Sequence, residues 1–447
     1  MHRVSIIVLM VLVVSVYASQ VIAADTAGEA SSSPSRIDTG DTAWVLASAA
    51  LVLLMTPGLA FFYGGLVRRK NVLSILMQCM IIICLITLQW VLFGYSLAFA
   101  PDMGGAGILG SLDWAGLNTV GLTPSSDYGD TVPHQAFMIF QAMFAVITPA
   151  LIIGAFAERM RFGPFCLFAV LWATFVYDPI CHWVWGTGGF LGEMGALDFA
   201  GGTVVHINAG VAALAAALFL GRRKGYPDGI SPPHNLPFAV LGAGLLWFGW
   251  FGFNAGSALG ANGLAAAAFV TTHTSTATAG LTWSLLDWIK YGRPTALGMI
   301  TGAVAGLVAI TPAAGFVTPV GAIGVGLGSG VICWLAVSFA KTKLGYDDSL
   351  DAFGVHGVGG IWGALATGIW ATTSVNGGGA DGLLYGNPLQ LWVQLKAVLI
   401  TMVYSFVVTY VLLLFVNMLG RLRISESEER IGLDLTQHSE AGYTIID

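Results

Sequence analysis

The sequence predicts an all-α polytopic membrane protein, on the grounds of its composition, its long apolar runs and its charge distribution. Of the 447 residues, 56% are hydrophobic and only 9% are charged, whereas an ordinary soluble domain has roughly 25% charged residues. This composition excludes a soluble enzyme, a nucleic-acid-binding protein and a disordered chain. A net charge of −6 is small at this length and indicates no polyanionic partner. The five cysteines are an odd number and lie in apolar runs, which argues against a disulfide framework or a zinc site.

Residues 1–23 predict a secretory signal peptide. The basic start Met1–Arg3 precedes the apolar stretch Val4–Val16, which is short for a transmembrane span, and small residues around Ala23 fit a cleavage site. An uncleaved first helix is the alternative. The polar stretch 24–41 then predicts a periplasmic N-terminal tail.

Eleven further segments are apolar and, at about 20 residues each, long enough to span a bilayer. They are expected at 42–67, 72–100, 134–157, 164–186, 200–220, 236–257, 265–289, 295–314, 319–340, 352–373 and 389–420. Together they predict a membrane domain over residues 42–420, followed by a C-terminal tail over residues 421–447.

Basic residues are distributed asymmetrically between the two sets of loops. Fifteen of the 18 Lys and Arg residues follow odd-numbered spans or precede even-numbered ones, while the loops 101–133, 187–199, 258–264 and 374–388 have none. Because basic loops stay in the cytoplasm, this asymmetry predicts an outside N-terminus and a cytoplasmic C-terminus.

The odd number of spans suggests that spans 1–5 and 6–10 form an inverted repeat. Five crossings in each repeat give the two halves opposite orientations, an arrangement that places a substrate path between them. Span 5 carries His206 and span 10 carries His356, and each histidine lies in a stripe of small residues with a four-residue spacing.

We expect His206 and His356 to line a pore, because ionisable residues inside a membrane are functional by default. Neutral imidazoles offer one hydrogen-bond donor and one acceptor each, so the pair is suited to passing a proton. The alternatives are an ordinary hydrogen bond between helices and a metal site, and the metal site lacks a third ligand at suitable spacing.

The end of span 6 predicts a site for a small cation. Trp250, Phe253 and Ser257 share one helix face, and a hydroxyl beside ring faces can hold a cation. Trp185, at the outer end of span 4, could complete such a cage. An interfacial aromatic belt is the alternative for these rings. In span 3, Phe144 fits a packing role and a gate equally well on spacing alone.

Acidic residues lie at the starts of two spans. Asp198 opens span 5 and is expected to stabilise unpaired backbone N–H groups there. Asp348 and Asp351, at the start of span 10, could do the same or could help a cation leave on the cytoplasmic side. The polar run Thr271–Thr276 in span 7, which includes His273, is unusual, and its spacing gives no account of it.

Four motifs in order resemble the ammonium transporter (Amt/MEP/Rh) family, and the bacterial Amt type more than the Rh proteins. They are Pro57–Leu66, the stretch Asp198–Gly202 with Val205–Asn208 and Gly221–Arg223, Gly249–Ser257, and Asp351–Gly357. The resemblance covers about residues 42–447. It implies a homotrimer in a bacterial inner membrane, in which each subunit has eleven helices and its own pore.

The resemblance also implies roles for single residues. The outer recruitment site is matched by Trp185, Ser257 and Phe144, the stacked gate by Phe144 and Phe253, and the twin pore histidines by His206 and His356. Asp198 matches a family aspartate needed for the integrity of the site, and we expect Trp250 and Asp348 to give structural support.

The tail resembles the segment that PII-type signalling proteins read. The matching residues are Gly432-Leu433-Asp434, His438, Glu440 and Tyr443, although Gly442 departs from the expected alanine. The resemblance implies that residues 421–447 pack on the cytoplasmic faces of their own and a neighbouring subunit, where they would present a docking surface for a trimeric PII protein. A disordered end is the alternative that the composition allows.

The function implied by the resemblance is transport of ammonium or ammonia, with methylammonium as a further substrate and with no cofactor, metal or enzymatic step. Ammonium would be held at the cage, deprotonated and conducted as ammonia, because a bare cation in an apolar pore costs on the order of several kcal/mol. An ammonium sensor is one alternative, for which the 27 residues after Gly420 are a short tail. A membrane enzyme with histidine metal ligands is the other.

Overall fold

The computed structural model describes residues 36–227 and 232–443, which form a bundle of long helices. The predicted signal peptide, most of the predicted periplasmic tail and residues 444–447 lie outside the described residues. We call the end of the bundle that carries the C-terminal segment the tail side, and the opposite end the loop side.

Helices and two short strands follow one another along the described residues. In chain order they are α1 (Thr39–Leu66), α2 (Val72–Gln89), α3 (Tyr95–Phe99), β1 (Pro124–Ser125), β2 (Gly129–Pro133), α4 (His134–Phe156), α5 (Phe162–Trp172), α6 (Asp178–Trp185), α7 (Phe190–Glu193), α8 (Asn208–Leu220), α9 (Leu236–Ala255), α10 (Gly263–Tyr291), α11 (Ala296–Ile310), α12 (Pro319–Leu335), α13 (Lys341–Leu344), α14 (Val358–Trp370), α15 (Pro388–Leu419) and α16 (Glu426–Ile431). β1 and β2 pair antiparallel on the loop side.

Short helical turns of other types join or extend these helices. The π-helical turns are Trp90–Gly94, Ala173–Tyr177, Gly202–Ile207, Ala336–Ala340, Phe353–Gly357 and Asp434–His438, and the 3₁₀ turns are Arg69–Asn71, Ala115–Leu117, Gly256–Ala258 and Leu383–Tyr385.

Eight helical runs in the described part of the chain are long and apolar enough to cross a membrane. They are Thr39–Leu66, Arg69–Phe99, His134–Phe156, Phe162–Glu193, Gly202–Leu220, Leu236–Ala258, Pro319–Leu344 and Pro388–Leu419. These runs coincide with predicted spans 1–6, 9 and 11.

The other three predicted spans also coincide with helices. Span 7 corresponds to α10, which has 29 residues but contains the polar run Thr271–Thr276. Span 8 corresponds to α11, which has only 15 residues, and span 10 to the glycine-rich run Phe353–Trp370. The structure is therefore that of a helical membrane protein, while eleven passages through the membrane stay a prediction.

The long helices α1 and α9 pack against each other at glycines. A Cβ atom at Gly242 would lie 2.2 Å from the backbone N of Phe62, and one at Gly65 would lie 2.5 Å from the carbonyl O of Asn235. Because these positions lack side chains, the two backbones can approach closely. The contact holds in place α9, the helix that carries several of the predicted site residues.

Residues 421–443 fold back onto the tail side of the same subunit. The backbone N–H of Arg161 donates to the carbonyl of Leu422 at 2.8 Å, which ties the start of the segment to the loop between α4 and α5. Further along, the N–H of Leu433 donates to Asn71 Oδ1 at 2.8 Å. The predicted tail is thus a folded layer over the loops, up to the last described residue.

A buried group of charges joins the loops beneath this layer. The guanidinium of Arg159, which is fully buried, lies 2.8 Å from Asp347, and Arg223 binds the same carboxylate at 2.8 Å. Glu158 accepts from Arg68 at 2.9 Å and lies 3.4 Å from Arg223. Four loops are therefore linked by alternating charges.

The charges of this group determine the pKa values of its carboxyls. Burial alone would raise the pKa of Glu158 and of Asp347, but the neighbouring guanidinium groups outweigh burial and hold both pKa values below their ordinary range. A carboxyl with a lowered folded-state pKa stabilises the fold above its unfolded pKa, which is about 4, and the stabilisation is lost as the pH falls through the folded pKa. The ion pairs therefore act at neutral pH and weaken below about pH 4.

Asp347→Asn leaves Arg159 buried without an opposing charge. We expect the free energy of unfolding to fall by about 3–5 kcal/mol, since breaking a buried pair on one side exposes the full desolvation cost of the other charge. The measurement is thermal unfolding of the full chain in detergent at neutral pH, repeated at acidic pH, where the difference between variant and wild type should shrink.

Glu426→Gln is the matched control, because the ion pair of Glu426 with Lys224 lies at the surface, where such pairs contribute little. Equal melting temperatures for the two variants would contradict the importance of the buried group.

Candidate functional site

His206 and His356 lie side by side in the interior of the bundle. Their ring centroids are 5.4 Å apart with an interplanar angle of 25°, and the two residues are 1% and 4% exposed. Each stands on a π-helical turn, Gly202–Ile207 or Phe353–Gly357, that leads into a regular helix. Single π turns inside helices are frequent at functional sites. The fold thus brings the two predicted pore histidines together.

An aspartate eight residues before each histidine caps the turn that carries it. The carboxylate of Asp198 accepts from the backbone N–H groups of residues 201–204 at 2.6–3.1 Å. The carboxylate of Asp348 accepts from the N–H groups of Ala352 and Phe353 at 3.1 and 2.7 Å. These N–H groups have no partner inside a helix, and a capping oxygen satisfies them. The same device at the same spacing supports the predicted repeat.

The two histidine-bearing segments touch through glycine backbones. A Cβ atom at Gly210 would lie 2.1 Å from the N of Gly357, and one at Gly360 would lie 3.0 Å from the N of Ile207. The small-residue stripes seen in the sequence therefore let the backbones meet. Their contact sets the distance between the imidazoles.

Aromatic rings of α9 extend the series of rings from His206 toward the loop side. His206 stacks against Trp250 at 5.3 Å and against Phe253 at 5.9 Å. The indole N–H of Trp250 donates to Thr311 Oγ1 at 2.9 Å, which fixes this ring. Phe253 in turn lies 4.3 Å from Phe144 with an interplanar angle of 38°. These are the two phenylalanines expected to stack.

Trp185 and Ser257 lie on the loop side of the two phenylalanines. Trp185 packs edge-on to Phe144 at 5.8 Å, and its indole N–H donates to the carbonyl of Asp198 at 2.9 Å. Ser257 Oγ donates to the carbonyl of Phe253 at 2.8 Å. Both residues line one cavity of about 370 Å³. Trp185 and Ser257 therefore share a cavity open to the loop side, while Phe144, the third residue predicted for the outer site, contacts Trp185 without lining that cavity.

Two further cavities lie toward the tail side. A narrow cavity of about 10 Å³ is lined by His206, His356, Trp250 and Phe253 together with aliphatic side chains. His356 also lines a tail-side cavity of about 290 Å³. Since about 10–15 Å³ is the room that one water needs, the middle cavity has about the volume of one water and is much smaller than the two cavities on either side.

Imidazole nitrogens in the narrow cavity have no hydrogen-bond partner among the described residues. Both ring nitrogens of His206 and Nδ1 of His356 are buried and unpaired. Leaving a buried polar atom unpaired is costly, so each such atom needs an explanation. The arrangement is suited to a small guest that exchanges hydrogen bonds with the rings.

Asp351 does not share the capping role of Asp348. Its carboxylate contacts the amino group of Lys341, and the residue lines the tail-side cavity with a φ of 61°. Asp348 thus makes the backbone contacts expected of a helix-start residue, while Asp351 lies at the cavity.

The polar run on α10, unexplained by its spacing, forms hydrogen bonds to α9, to α11 and to the turn that follows α11. Thr271 donates to the carbonyl of Ala314 at 2.7 Å, and Ser275 donates to that of Gly306 at 3.1 Å. Thr272 accepts from the amide of Asn254 at 2.9 Å. The four-residue spacing of Thr271 and Ser275 indicated that they share one helix face. The sequence does not indicate which segments supply their hydrogen-bond partners.

Comparison with known proteins identifies the family. A family model described as Ammonium Transporter Family matches residues 43–443. The chain belongs to the ammonium transporter family. Membership in a family of transporters supports a non-enzymatic function.

Individual ammonium transporters are similar over nearly the whole chain. The ammonium transporter of Bacillus subtilis (strain 168) is 56% identical over 405 residues, which are 90% of this chain and 98% of that protein. The crystal structure of Mep2 from Saccharomyces cerevisiae is similar with a TM-score of 0.82 at 38% identity, covering 88% of this chain and 89% of that one. A structure titled Sensor Amt Protein has a TM-score of 0.81 at 32% identity, covering 89% of this chain and 98% of that one.

Gly210→Ala tests the contact that brings the histidines together. The added Cβ would meet the backbone of Gly357, which has no flexible side chain to move aside, so we expect lower thermal stability and displaced imidazoles. Differential scanning fluorimetry of the purified protein measures the first effect, and a structure of the variant measures the second.

Gly163→Ala is the control, because a Cβ at this helical glycine has no neighbour within 4 Å. It should leave stability nearly unchanged. If Gly210→Ala behaved in the same way, the close backbone contact would not constrain the site.

Proposed function

We propose that the chain carries ammonium across a bacterial inner membrane by binding the cation at the loop side and conducting it as ammonia. The observation that carries this proposal is the narrow, largely apolar cavity in which His206 and His356 have unpaired ring nitrogens. Ammonia is small, neutral and able both to donate and to accept hydrogen bonds. It therefore suits a passage that offers room for one small molecule and two polar rings.

The loop-side cavity is proposed as the recruitment site. The indole of Trp185 and the hydroxyl of Ser257 line this cavity and offer a ring and an oxygen to a small cation. The ring of Phe144, in edge contact with the indole, is proposed to complete the site. The stacked pair of Phe144 and Phe253 closes the way beyond, so the guest must displace a ring to pass. Methylammonium is the expected second substrate, because its charge and its methyl group both suit ring faces.

Deprotonation between the cage and the histidines follows from the cost of charge burial. Moving a bare cation into the apolar cavity costs on the order of several kcal/mol more than moving a neutral molecule. His206 and His356 are proposed to exchange hydrogen bonds with ammonia there. Asp198, Trp250 and Asp348 are proposed as structural supports, in keeping with their contacts to backbone and to Thr311.

The membrane arrangement is proposed as a homotrimer of subunits with eleven passages each. The distribution of basic residues supports a cytoplasmic tail side and an outside loop side. Residues 1–23 are proposed as the signal peptide, residues 24–41 as a periplasmic tail and residues 42–420 as the transport domain.

The layer formed by the tail is proposed as the docking surface for a PII-type signalling protein. Asp434 accepts from the N–H of Ser74 at 2.8 Å, and the Tyr443 hydroxyl lies 2.9 Å from His234 Nε2. These contacts support the proposal because they hold the matching residues of the tail on the tail side, where a bound protein would block the exit.

Replacing both His206 and His356 with leucine should abolish selective ammonium transport or turn the pore into an unselective cation leak, because the polar rings are lost. The measurement is the current of the full chain in proteoliposomes on a solid-supported membrane after an ammonium pulse, with a sodium pulse as the selectivity test. An elution profile like that of the wild type verifies that the variant folds. Unchanged ammonium current and selectivity would overturn the role of the histidines.

Trp185→Leu should instead weaken recruitment. We expect the apparent affinity for methylammonium to fall by about tenfold, equivalent to about 1.4 kcal/mol, which is a plausible size for one lost cation–ring contact. Uptake at limiting and at saturating methylammonium separates affinity from maximal flux. Trp392→Leu, at an exposed tryptophan away from the cavity, is the control. A fall in maximal flux alone would contradict the cage.

Ammonium sensing with little conduction is the second candidate, favoured by the similarity to the structure titled Sensor Amt Protein. Saturable methylammonium binding to the purified chain, without current in the proteoliposome experiment, would support sensing over transport.

A further inference from the structure

The imidazole of His182 joins two segments on the loop side of the bundle. His182 stands on α6, three residues before Trp185. Its Nδ1 lies 3.0 Å from the carbonyl O of Ala98, which precedes Phe99 at the end of α3. Its Nε2 lies 3.2 Å from Oδ1 of Asp102, in the loop that follows α3. The imidazole is fully buried between these two oxygens.

The surroundings of the imidazole hold it in this position. A Cβ atom at Gly186 would lie 2.4 Å from Nδ1 of His182 and 2.7 Å from the carbonyl O of Ala98, so the ring occupies the space that a glycine leaves free. A second contact holds the same loop against the same helix, since the indole N–H of Trp183 donates to the carbonyl of Ile108 at 2.8 Å. The two oxygens therefore face the ring nitrogens in a fixed arrangement.

Both of these oxygens accept hydrogen bonds, and a carbonyl or an ionised carboxylate cannot donate one. Nδ1 of His182 must therefore carry a proton toward the carbonyl, and Nε2 must carry another toward the carboxylate. Burial raises the pKa of Asp102, but the nearby backbone N–H of Gly107 and the ring of His182 outweigh burial and hold this pKa below its ordinary range. The carboxyl is thus ionised at neutral pH, and the hydrogen bonds call for a ring with two protons.

Other titratable groups lie on or near the elements packed against α6. They are Asp178 and Cys181 of α6, Tyr95 of α3, Tyr128, His134, Glu193 of α7, Asp198 and His206. Asp178 accepts from the amide of Gln89 at 2.6 Å, and Asp198 accepts from backbone N–H groups. Glu193 is exposed. Among the described residues, Asp102 is therefore the carboxylate that contacts this imidazole.

We propose that His182 is a positioning residue of the loop-side cavity, and that a proton held between its ring and Asp102 keeps the cavity in shape. Phe99 and Trp185 line this cavity, and the ring of His182 ties together the two segments that carry them. Without the proton, one of the two contacts would set two acceptors against each other. The proton is present at low pH and leaves as the pH rises, so recruitment weakens toward alkaline pH. The proposal rests on the proposed transport function, because it concerns the site that recruits the cation.

Nitrogen NMR of the full chain in lipid, with isotope-labelled histidine, tests the protonation state. The signals that disappear in His182→Gln, or that change in Asp102→Asn if the first variant does not fold, identify the ring. At neutral pH we expect two protonated ring nitrogens in the wild type and one in Asp102→Asn, whose amide can donate to a neutral ring. Asp113→Asn, at an exposed carboxylate of the same loop, is the control and should leave the signals unchanged. A neutral ring in the wild type would overturn the proposal.

Methylammonium uptake by proteoliposomes tests the consequence for recruitment. Asp102→Leu should lower the apparent affinity by roughly threefold to tenfold at similar maximal flux, since hydrogen bonds to charged groups are stronger than neutral ones. Asp102→Asn should stay near the wild type, because its amide keeps a hydrogen bond to the ring. Between about pH 5 and 8, where histidine changes charge, the wild-type affinity should fall as NMR shows the proton leaving. Asp102→Asn should lack this pH dependence.

The outcomes separate the positioning role from the function on which it rests. A wild type without saturable methylammonium uptake would overturn the proposed function, while the ring with two protons could still be observed by NMR. Saturable uptake with the same affinity in the wild type and in Asp102→Leu would overturn only the positioning role. The same conclusion follows if Asp102→Asn keeps the pH dependence of the wild type, or if the wild-type affinity stays constant while the ring loses its proton.

Discussion

The contact between Gly210 and Gly357 is the interaction on which the rest of the site depends. The two residues belong to segments far apart in sequence, and a single added carbon would lie 2.1 Å from a backbone nitrogen. Because the two backbones touch, the nearby imidazoles of His206 and His356 stack with their ring centroids 5.4 Å apart. A wider separation would leave space for water between the rings, and the cavity would no longer be narrow and largely apolar.

Irregular backbone in an apolar interior needs partners, and the two aspartates supply them. Each π turn leaves N–H groups without an acceptor in its own helix, and the carboxylates of Asp198 and Asp348 accept from them. Hydrogen bonds to backbone N–H groups thus use the acceptor capacity of both carboxylates. The imidazole nitrogens, by contrast, have no hydrogen-bond partner among the described residues. They are therefore the polar groups that remain free to bind a guest in the narrow cavity.

The sequence was sufficient to predict the helices, because each apolar run is long and its charges are asymmetric. It was also sufficient to single out His206 and His356, since an ionisable residue in a small-residue stripe is conspicuous, and Phe253, since it shares one helix face with Trp250 and Ser257. The π turns were not predictable, because the spans that contain them are apolar on nearly all sides, so the shift that an extra residue causes leaves no visible change in the pattern.

Interactions between distant segments escaped the sequence for a different reason. Arg159 looked like one of several basic loop residues, yet it is fully buried against Asp347. Likewise the hydroxyl of Thr271 bonds to the carbonyl of Ala314, a group that every residue has and no pattern marks. Such pairs depend on which loops meet, and only the three-dimensional arrangement determines that.

One peptide bond joins two residues with very different surroundings on the tail side. Asp347 is held by the guanidinium groups of Arg159 and Arg223, whereas Asp348 caps the turn that carries His356. The backbone of Arg159 also accepts from the N–H of Ile424 at 3.1 Å, within the folded C-terminal layer. One backbone hydrogen bond, two side-chain contacts and one peptide unit therefore join the C-terminal layer to the turn that carries His356, so the surface on the tail side and the narrow cavity share a short, continuous series of contacts.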